Sequence, residues 1–256
     1  QGLLYLDFSG GNGTEKENFT TNMASSNTVA TNGNLNWYWR TSYEKLAKYN
    51  TFLDNIGNCP MDETKKKQWI AEVKTLRSYF LFNLAFYFQN VPMPLTTLSV
   101  EEANTMAQSS QAEVYEQVES DLKDAISVLP LEQKDENLGR ISKGAARTIL
   151  ARLYLAQNRF SEAAAVLKDI IDSNIYALDR RNGDDSYEKF FHDGGESSPE
   201  AIFSILGLKD KFTNVRYIYM FPEMAGGWHQ FAVYNELVKS YFCADGKNIE
   251  ESELYD

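Results

Sequence analysis

The chain has 256 residues, of which 43% are hydrophobic and 13% aromatic, enough apolar material for one large or two small globular domains. Its 36 acidic side chains outnumber the 25 lysines and arginines, and the net charge of -11 excludes the basic surface that holds a nucleic-acid backbone. No apolar run approaches the roughly 20 residues that a membrane-spanning helix needs, which excludes a chain that crosses a bilayer.

Residues 1–36 are predicted to form an irregular N-terminal loop region. After a short apolar start, the segment is rich in Gly, Asn, Ser and Thr and shows neither helical nor strand periodicity. Loops of this length without structure of their own are uncommon and often functional. The chain starts without methionine or a leader pattern, so we expect residue 1 to be a mature end or an internal position.

A helical scaffold is predicted over residues 37–178, and its first helix begins near Trp37. The spacing of Trp39, Tyr43, Leu46 and Ile56 places apolar side chains on one face of that helix. A second helix, with Asp62 as its N-cap, runs into the segment AEVKTLRSYFLFNLAFYFQNVPMPL and ends before its two prolines.

The aromatic side chains of the second helix lie all around its axis, which predicts a helix enclosed by its neighbours. We therefore place those aromatics in the core, together with Trp39, Tyr43 and Trp69. Arg77 lies on the same helix, and a buried charge costs several kcal/mol unless it is paired. The sequence predicts that Arg77 pairs with a carboxylate or with backbone carbonyls.

Three further helices complete the predicted scaffold. One spans residues 110–129, and two more form a pair joined by a turn at Asn158, with Ser142 and Ser161 as predicted N-caps. Small residues in this pair, among them Gly144, let two antiparallel helices approach closely. This is the packing of tetratricopeptide-type repeats, so an all-α fold of stacked helical hairpins is predicted.

Residues 179–256 are predicted to be irregular and loop-rich, with one short helix. No motif in the chain indicates a metal, phosphate or dinucleotide site, since there are only two histidines and no HExxH, GxSxG or Walker-type pattern. No cofactor is expected.

Two carboxylate pairs at helical spacing are candidates for the acid and base of a glycosidase: Glu63 with Glu72, and Asp121 with Asp124. Such carboxylates are more often solvated surface groups, which is the interpretation we favour. The two cysteines, Cys59 and Cys243, leave open whether they form one disulfide or stay as thiols.

Six segments in chain order resemble the motifs of one family. Trp39, Tyr43 and Asn50 have its Trp-x3-Tyr-x6-Asn spacing, and the second helix with its VPMPL exit is similar to its AE-x-x-x-LR helix followed by VPL. The other matching segments are EVYEQVESDLKDAISVLP, GRISKGAARTILARLYLAQNRFSEAA, SPEAIFSI and NELVKSYFCADG. Together they resemble the SusD/RagB-like family of starch-utilisation-system D homologues.

The resemblance implies a SusD-like fold, mainly α, in which tetratricopeptide-like hairpins form a superhelix with long irregular ligand-facing loops. It implies a surface-exposed outer-membrane lipoprotein that binds oligosaccharides or polysaccharides without catalysis. The implied partner is a SusC-like TonB-dependent transporter, and the membrane would be contacted only through a lipid anchor outside this chain. Members are usually longer, so we expect a middle fragment, in which Gln89 and Asn90 stand where members commonly have Gly-Asp.

Three alternatives stay open: a peptide-binding member of the same family, a helical-repeat adaptor for protein partners and an α-helical carbohydrate-active enzyme. For a glycan ligand, aromatic rings offer a flat face to a pyranose, while Asn and Asp bind its hydroxyls. Such side chains in the irregular segments are the candidate ligand-binding residues: Asp7, Asn12, Trp37, Tyr217, Tyr219, Trp228 and His229. Each of the aromatics could instead be packed inside the fold.

Overall fold

The computed structural model describes residues 13–15, 33–192, 194–204, 224, 226–227 and 231–254. The chain divides into two compact units, one of residues 41–206 and one of residues 1–40 with 207–256. The three-part division by composition given above stays a prediction.

Eight α-helices and two short strands form the regular structure of the described residues, so the fold is mainly α, as predicted. The helices are α1 Gly33–Asn55, α2 Glu63–Phe88, α3 Val100–Thr105, α4 Gln111–Val128, α5 Lys143–Ala156, α6 Phe160–Asp172, α7 Ser186–Phe190 and α8 Asn235–Lys239. The strands are β1 Gly13–Glu15 and β2 Phe231–Val233. None of these helices is both long and apolar enough to cross a membrane.

In the unit of residues 41–206, successive helices pack in tetratricopeptide-like hairpins. α2 packs on α4, α4 on α5, and α5 on α6. The shared core consists of aliphatic side chains at helical spacing that are almost completely buried: Leu46, Leu81, Leu84, Val114, Val118, Leu122, Leu150 and Leu153. Burial of each such side chain contributes roughly 1.5–3 kcal/mol, which makes this face the main stabilising feature of the unit.

The helix starts follow the predicted caps with one exception. The Asp62 carboxylate accepts from the Lys65 N–H at 2.8 Å, and the Ser142 hydroxyl accepts from Ala145 at 3.3 Å. Ser161 is not an N-cap, because α6 already begins at Phe160, with Arg159 in the cap position. The predicted turn is present, since Asn158 has a φ of 58° and lets the chain reverse between α5 and α6.

The aromatic side chains of α2 are less buried than predicted. Phe82 is buried, whereas Phe86 and Tyr87 are 49% and 41% exposed, and Trp69 is 36% exposed. The physical reason is the position of α4, which begins at Gln111, whose side-chain amide donates to the Ala85 carbonyl at 2.8 Å. α4 therefore covers α2 only up to the turn that carries Ala85, and the predicted core position is wrong for Phe86 and Tyr87, which follow it. It is also wrong for Trp69, near the start of α2, which lies against the Arg140 side chain.

The extended segment after α2, which we call the exit segment (residues 91–96), is held through its backbone carbonyls. The Tyr43 hydroxyl donates to the Pro92 carbonyl at 2.7 Å. The Asn50 amide nitrogen donates to the carbonyls of Pro94 at 2.9 Å and Thr96 at 3.0 Å. Tyr43 and Asn50, which the sequence analysis identified by their spacing, thus act as hydrogen-bond donors to the exit segment. Its carbonyls need such donors because a proline-containing segment does not form helical hydrogen bonds.

Arg77 completes this arrangement and is paired as predicted. Its guanidinium donates to the Asp121 carboxylate at 2.6 Å, to the Leu95 carbonyl at 3.0 Å and to the Asn50 side-chain oxygen at 3.2 Å. Arg77 and Asp121 are 5% and 3% exposed. One buried ion pair therefore joins α1, α2, α4 and the exit segment.

Gln89, at the end of α2, has a backbone conformation that glycine adopts far more readily. Its φ is 63° and its ψ is -95°. A side chain in such a sparsely populated region costs of order 1–3 kcal/mol. This is the position at which the resembling family commonly has glycine.

Replacing Gln89 with glycine is expected to raise the free energy of unfolding by about 1 kcal/mol, because the relief of strain exceeds the entropy that glycine loses on folding. Urea denaturation measures the difference. Gln157→Gly is the matched control: Gln157 also caps a helix C-terminus but has a φ of -97°, so glycine there should lower the stability by about 0.5–1 kcal/mol. A loss of stability in both variants would contradict the strain at Gln89.

A second polar cluster ties α4 to the turn between α5 and α6. The Glu119 carboxylate accepts from Arg159 at 2.6 Å, from the Tyr154 hydroxyl at 2.9 Å and pairs with Lys123 at 2.7 Å. Partial burial opposes its charged form, but the hydrogen bonds from Arg159, Lys123 and Tyr154 outweigh it and lower the pKa of Glu119 to about 2.

Because the folded pKa of Glu119 lies below its ordinary value of 4.5, its charge stabilises the fold above pH 4.5, and that contribution is lost as the pH falls towards 2. Glu119→Gln is expected to lower the free energy of unfolding by about 1–2 kcal/mol at pH 7. The difference from the wild-type protein should narrow between pH 4.5 and 3 in urea denaturation.

Glu116→Gln is the control for the pH series, because Glu116 is exposed on the same helix. Its effect should stay within about 0.5 kcal/mol at every pH. If the Glu119→Gln difference were constant over the whole series, the lowered pKa would be wrong.

In the unit of residues 1–40 and 207–256, β1 and β2 pair antiparallel, with Gly13 opposite Val233 and Glu15 opposite Phe231. β1 lies inside the segment predicted to be irregular. A three-residue strand is too short to produce a visible alternation in the sequence. α8 follows β2, and with α7 it makes two short helices in residues 179–256, where one was predicted.

Candidate functional site

Of the predicted ligand-binding residues, the described part of the chain contains Trp37. It lies on α1, and 54% of its surface is exposed. The others fall outside the described residues: Asp7, Asn12, Tyr217, Tyr219, Trp228 and His229.

The unit of residues 41–206 contains a pocket of about 220 Å³ between the α4–α5 connection and residues 197–204. The two sides are bridged by Ile175 and Tyr176, which follow α6. Half of the lining side chains are polar, and two carry charge, Glu132 and Arg140. A concave site with several convergent polar groups is the usual form of a small-molecule site.

Tyr176 forms a wall of the pocket because Gly144 makes room for it. A Cβ atom at Gly144 would overlap the Tyr176 hydroxyl and lie 2.7 Å from a ring carbon. The Tyr176 hydroxyl is 3.2 Å from the hydroxyl of Ser142, the N-cap of α5. Gly144, which the sequence analysis assigned to helix–helix contact, therefore makes space for the Tyr176 ring, which comes from outside the α5–α6 hairpin.

The polar side chains of the α4–α5 connection are held in place by the scaffold. Arg140 forms an ion pair with the buried Glu72 at 2.7 Å and lies 5.4 Å from the centre of the Trp69 ring. The Gln133 amide donates to the Ile141 carbonyl at 2.8 Å, which leaves its oxygen without a partner among the described residues. The pocket thus offers both donor and acceptor groups at fixed positions.

Asp179 fixes the opposite side of the pocket. Its carboxylate accepts from the Arg181 guanidinium at 2.6 Å and from the buried Ser198 hydroxyl at 2.9 Å. Hydrogen bonds from the Arg181 side chain and backbone outweigh desolvation and hold the pKa of Asp179 well below its usual range. The loop that carries Ser198 is therefore anchored at neutral pH.

The carboxylates weighed above as a glycosidase pair are all bound to cations. Glu72 pairs with Arg140, and Glu63 pairs with Lys66 at 2.7 Å. Asp121 pairs with Arg77, and Lys74 bridges Asp121 at 3.1 Å and Asp124 at 3.3 Å. Glu72 and Asp121 are buried rather than solvated, so the expectation of surface groups is wrong for these two, and their role is structural.

Neither metal chemistry nor a disulfide is indicated in the described residues. No group of three His, Cys, Asp or Glu side chains there lies close enough together to hold a metal ion. Cys59 and Cys243 are free thiols.

Sequence reasoning did not find the pocket. Gly139, Arg140 and Ser198 entered it only as letters of family motifs, Ser142 was predicted only as an N-cap, and Tyr176 was not singled out. The sequence does contain a usable signal, because Tyr176 follows α6 and Gly144 lies in the first turn of α5. A single sequence does not show that these two residues are in contact.

Comparisons with known proteins agree with one another. Residues 6–155 match the model of the SusD-like family described as starch-binding and associating with the outer membrane. The SusD-like protein P25 of Formosa agariphila is 25% identical over 173 residues, which are 67% of this chain and 32% of that protein. The chain thus spans about a third of the length of this curated relative.

Solved structures give the same result. A SusD-like carbohydrate-binding protein from Bacteroides fragilis superposes with a TM-score of 0.87 at 29% identity, over 96% of this chain and 48% of that one. A laminarin-binding SusD-like protein is 31% identical with a TM-score of 0.57, over 62% of this chain and 35% of that one. The family match over more than half of the sequence and the shared fold lead to one conclusion: the chain belongs to the SusD-like family of carbohydrate-binding proteins.

Proposed function

We propose that the protein binds oligosaccharides or polysaccharides at the cell surface without cleaving them and delivers them to a SusC-like TonB-dependent transporter. The observation that supports this most directly is the family match over residues 6–155 together with the 0.87 TM-score to a carbohydrate-binding relative. Since the chain covers 48% of that relative, the activity of the whole protein is part of the proposal.

The electrostatics of the described residues fit binding better than hydrolysis. A glycosidase needs two carboxyl groups facing one cleft, one of them protonated. Glu63, Glu72, Asp121 and Asp124 are instead each within ion-pair distance of a lysine or arginine.

Affinity electrophoresis of the full-length protein in gels that contain neutral polysaccharides tests the binding. Laminarin is the first probe, since a relative with 31% identity is a laminarin-binding protein. Retarded migration in at least one polysaccharide, without release of reducing sugar, is expected. Release of reducing sugar would overturn the non-catalytic part, and saturable binding of a peptide mixture without any glycan binding would favour a peptide-binding member.

Delivery to a transporter and attachment by a lipid anchor are separate parts of the proposal. They predict that the full-length protein fractionates with the outer membrane, is cleaved by protease added to intact cells and co-purifies with a TonB-dependent transporter from detergent extracts. A protein found in the soluble cytosolic fraction would instead indicate a helical-repeat adaptor.

The ligand-contacting residues that we propose are those of the irregular segments: Asp7, Asn12, Trp37, Tyr217, Tyr219, Trp228 and His229. Loss of an aromatic ring that stacks on a sugar should weaken binding at least tenfold, so Trp37→Ala and Trp228→Ala are the test variants. Phe160→Ala is the control, since Phe160 is an aromatic residue of the helical scaffold that is 62% exposed on α6 and does not line the pocket. Equal affinity in all three variants would remove these residues from the site.

A further inference from the structure

We propose that the pocket between the α4–α5 connection and residues 197–204 is a second glycan subsite, which takes one neutral sugar ring. This inference rests on the proposed glycan-binding function, but it concerns other residues than the irregular segments named above. Four observations on the pocket carry it: its size, its charge balance, its chemistry and its rigidity.

Size sets the class of ligand. The pocket volume of about 220 Å³ lies below the roughly 300–1,000 Å³ typical of sites for drug-sized molecules. A single ring fits this volume, whereas a longer oligosaccharide does not. The ligand is therefore the end of a glycan chain or a monosaccharide.

The charge balance favours a neutral ligand. Glu132 and Arg140 are the charged side chains among the lining residues, and both are already paired: Glu132 with Lys134 at 2.6 Å and Arg140 with Glu72 at 2.7 Å. A carboxylated or sulfated sugar would therefore find no unpaired cation among the lining residues to receive its charge. Neutral hydroxyl groups meet no such penalty.

The chemistry of the lining matches the hydroxyls and C–H faces of a pyranose. A sugar hydroxyl both donates and accepts, and the pocket offers the Glu132 carboxylate and Gln133 oxygen as acceptors beside the Tyr176 hydroxyl. The rings of Tyr176 and Phe203, with Phe203 43% exposed, supply apolar faces.

The site is held in place before a ligand arrives. Tyr176 is seated over Gly144, Arg140 is fixed by Glu72, and the Ser198 loop is fixed by Asp179. Side chains that are already ordered lose little further entropy on binding, which favours recognition of a small ligand. An exposed loop of the same composition would not have this advantage.

The test is a saturation-transfer and chemical-shift NMR titration of the full-length protein with methyl β-D-glucopyranoside, methyl β-D-galactopyranoside and methyl α-D-mannopyranoside, with methyl β-D-glucuronide as the charged comparison. Saturable binding of at least one neutral glycoside, with a dissociation constant of about 1 mM, is expected. Ala201→Trp, which fills the pocket, should weaken that binding at least tenfold. Ala164→Trp, at an exposed position of α6, is the matched control and should leave it unchanged.

Glu132→Gln keeps the shape of the pocket and provides a second test if the tryptophan variant does not fold. It should weaken binding of the neutral glycoside at least threefold. The subsite would be overturned by unchanged affinity in both pocket variants or by tighter binding of the glucuronide than of the neutral glycosides. It would also be overturned if the protein bound a polysaccharide but none of the methyl glycosides. Failure of the wild-type protein to bind any polysaccharide would instead overturn the proposed function, and the glycoside titration would still decide the pocket.

Discussion

Replacing Asp121 with alanine is expected to lower the free energy of unfolding by about 3–5 kcal/mol, because it leaves the buried Arg77 guanidinium without its carboxylate. The two groups are 2.6 Å apart, and both side chains are almost completely buried. Urea denaturation followed by far-UV circular dichroism measures the change. A loss below 1 kcal/mol would mean that water or another anion reaches Arg77, which contradicts its burial.

The control for this variant is Asp172→Ala. Asp172 pairs with Lys168 at 2.7 Å, but both side chains are more than half exposed, so the expected effect is about 0–1 kcal/mol. The double variant Arg77→Met with Asp121→Leu removes both charges and should recover a large part of the stability lost in Asp121→Ala.

Asn50→Ala is expected to lower the free energy of unfolding by about 3 kcal/mol. Asn50 is completely buried, and its amide serves the Pro94 and Thr96 carbonyls and the Arg77 guanidinium. Each buried polar group left without a partner costs roughly 1–3 kcal/mol. Under native conditions, thermolysin should also cleave the exit segment faster in this variant than in the wild-type protein. A loss of stability confined to the helices would not accelerate cleavage at the exit segment.

Asn55→Ala provides the comparison, since Asn55 is exposed on the same helix and its amide bonds within the helix to Thr51 at 2.7 Å. It should change the stability by no more than about 0.5 kcal/mol. Because Asn50 and Asp121 both contact Arg77, their effects in a double variant should not add. Additive effects would indicate that Arg77 does not couple the two.

The parts of the fold that follow from local rules could be predicted from the sequence. The period of apolar residues located α1, α2, α4, α5 and α6, and desolvation required the pairing of Arg77. Periodicity within α2 does not show how much of α2 the neighbouring helix α4 covers. Phe86 and Tyr87 were therefore assigned to the core although they lie at the end of α2 that α4 does not cover.

The candidate site could be predicted far less well, because it depends on contacts between segments that are distant in sequence. Helical periodicity indicated that Gly144 needs a close neighbour but not that the neighbour is Tyr176. Likewise, Ser198 and Asp179 meet only after the chain has turned back on itself. Trp37, an aromatic side chain at a predicted loop–helix boundary, is 54% exposed, and its place in the ligand site stays a prediction.

The exit segment is anchored through its backbone, which determines which substitutions it can tolerate during evolution. Tyr43, Asn50 and Arg77 bind carbonyl oxygens, which every amino acid carries, rather than side chains. Random substitution should therefore be tolerated within residues 91–96 at the side chains that are not buried, such as Thr96, and purged at the three anchors. The conformation of the exit segment is therefore determined mainly by residues outside it.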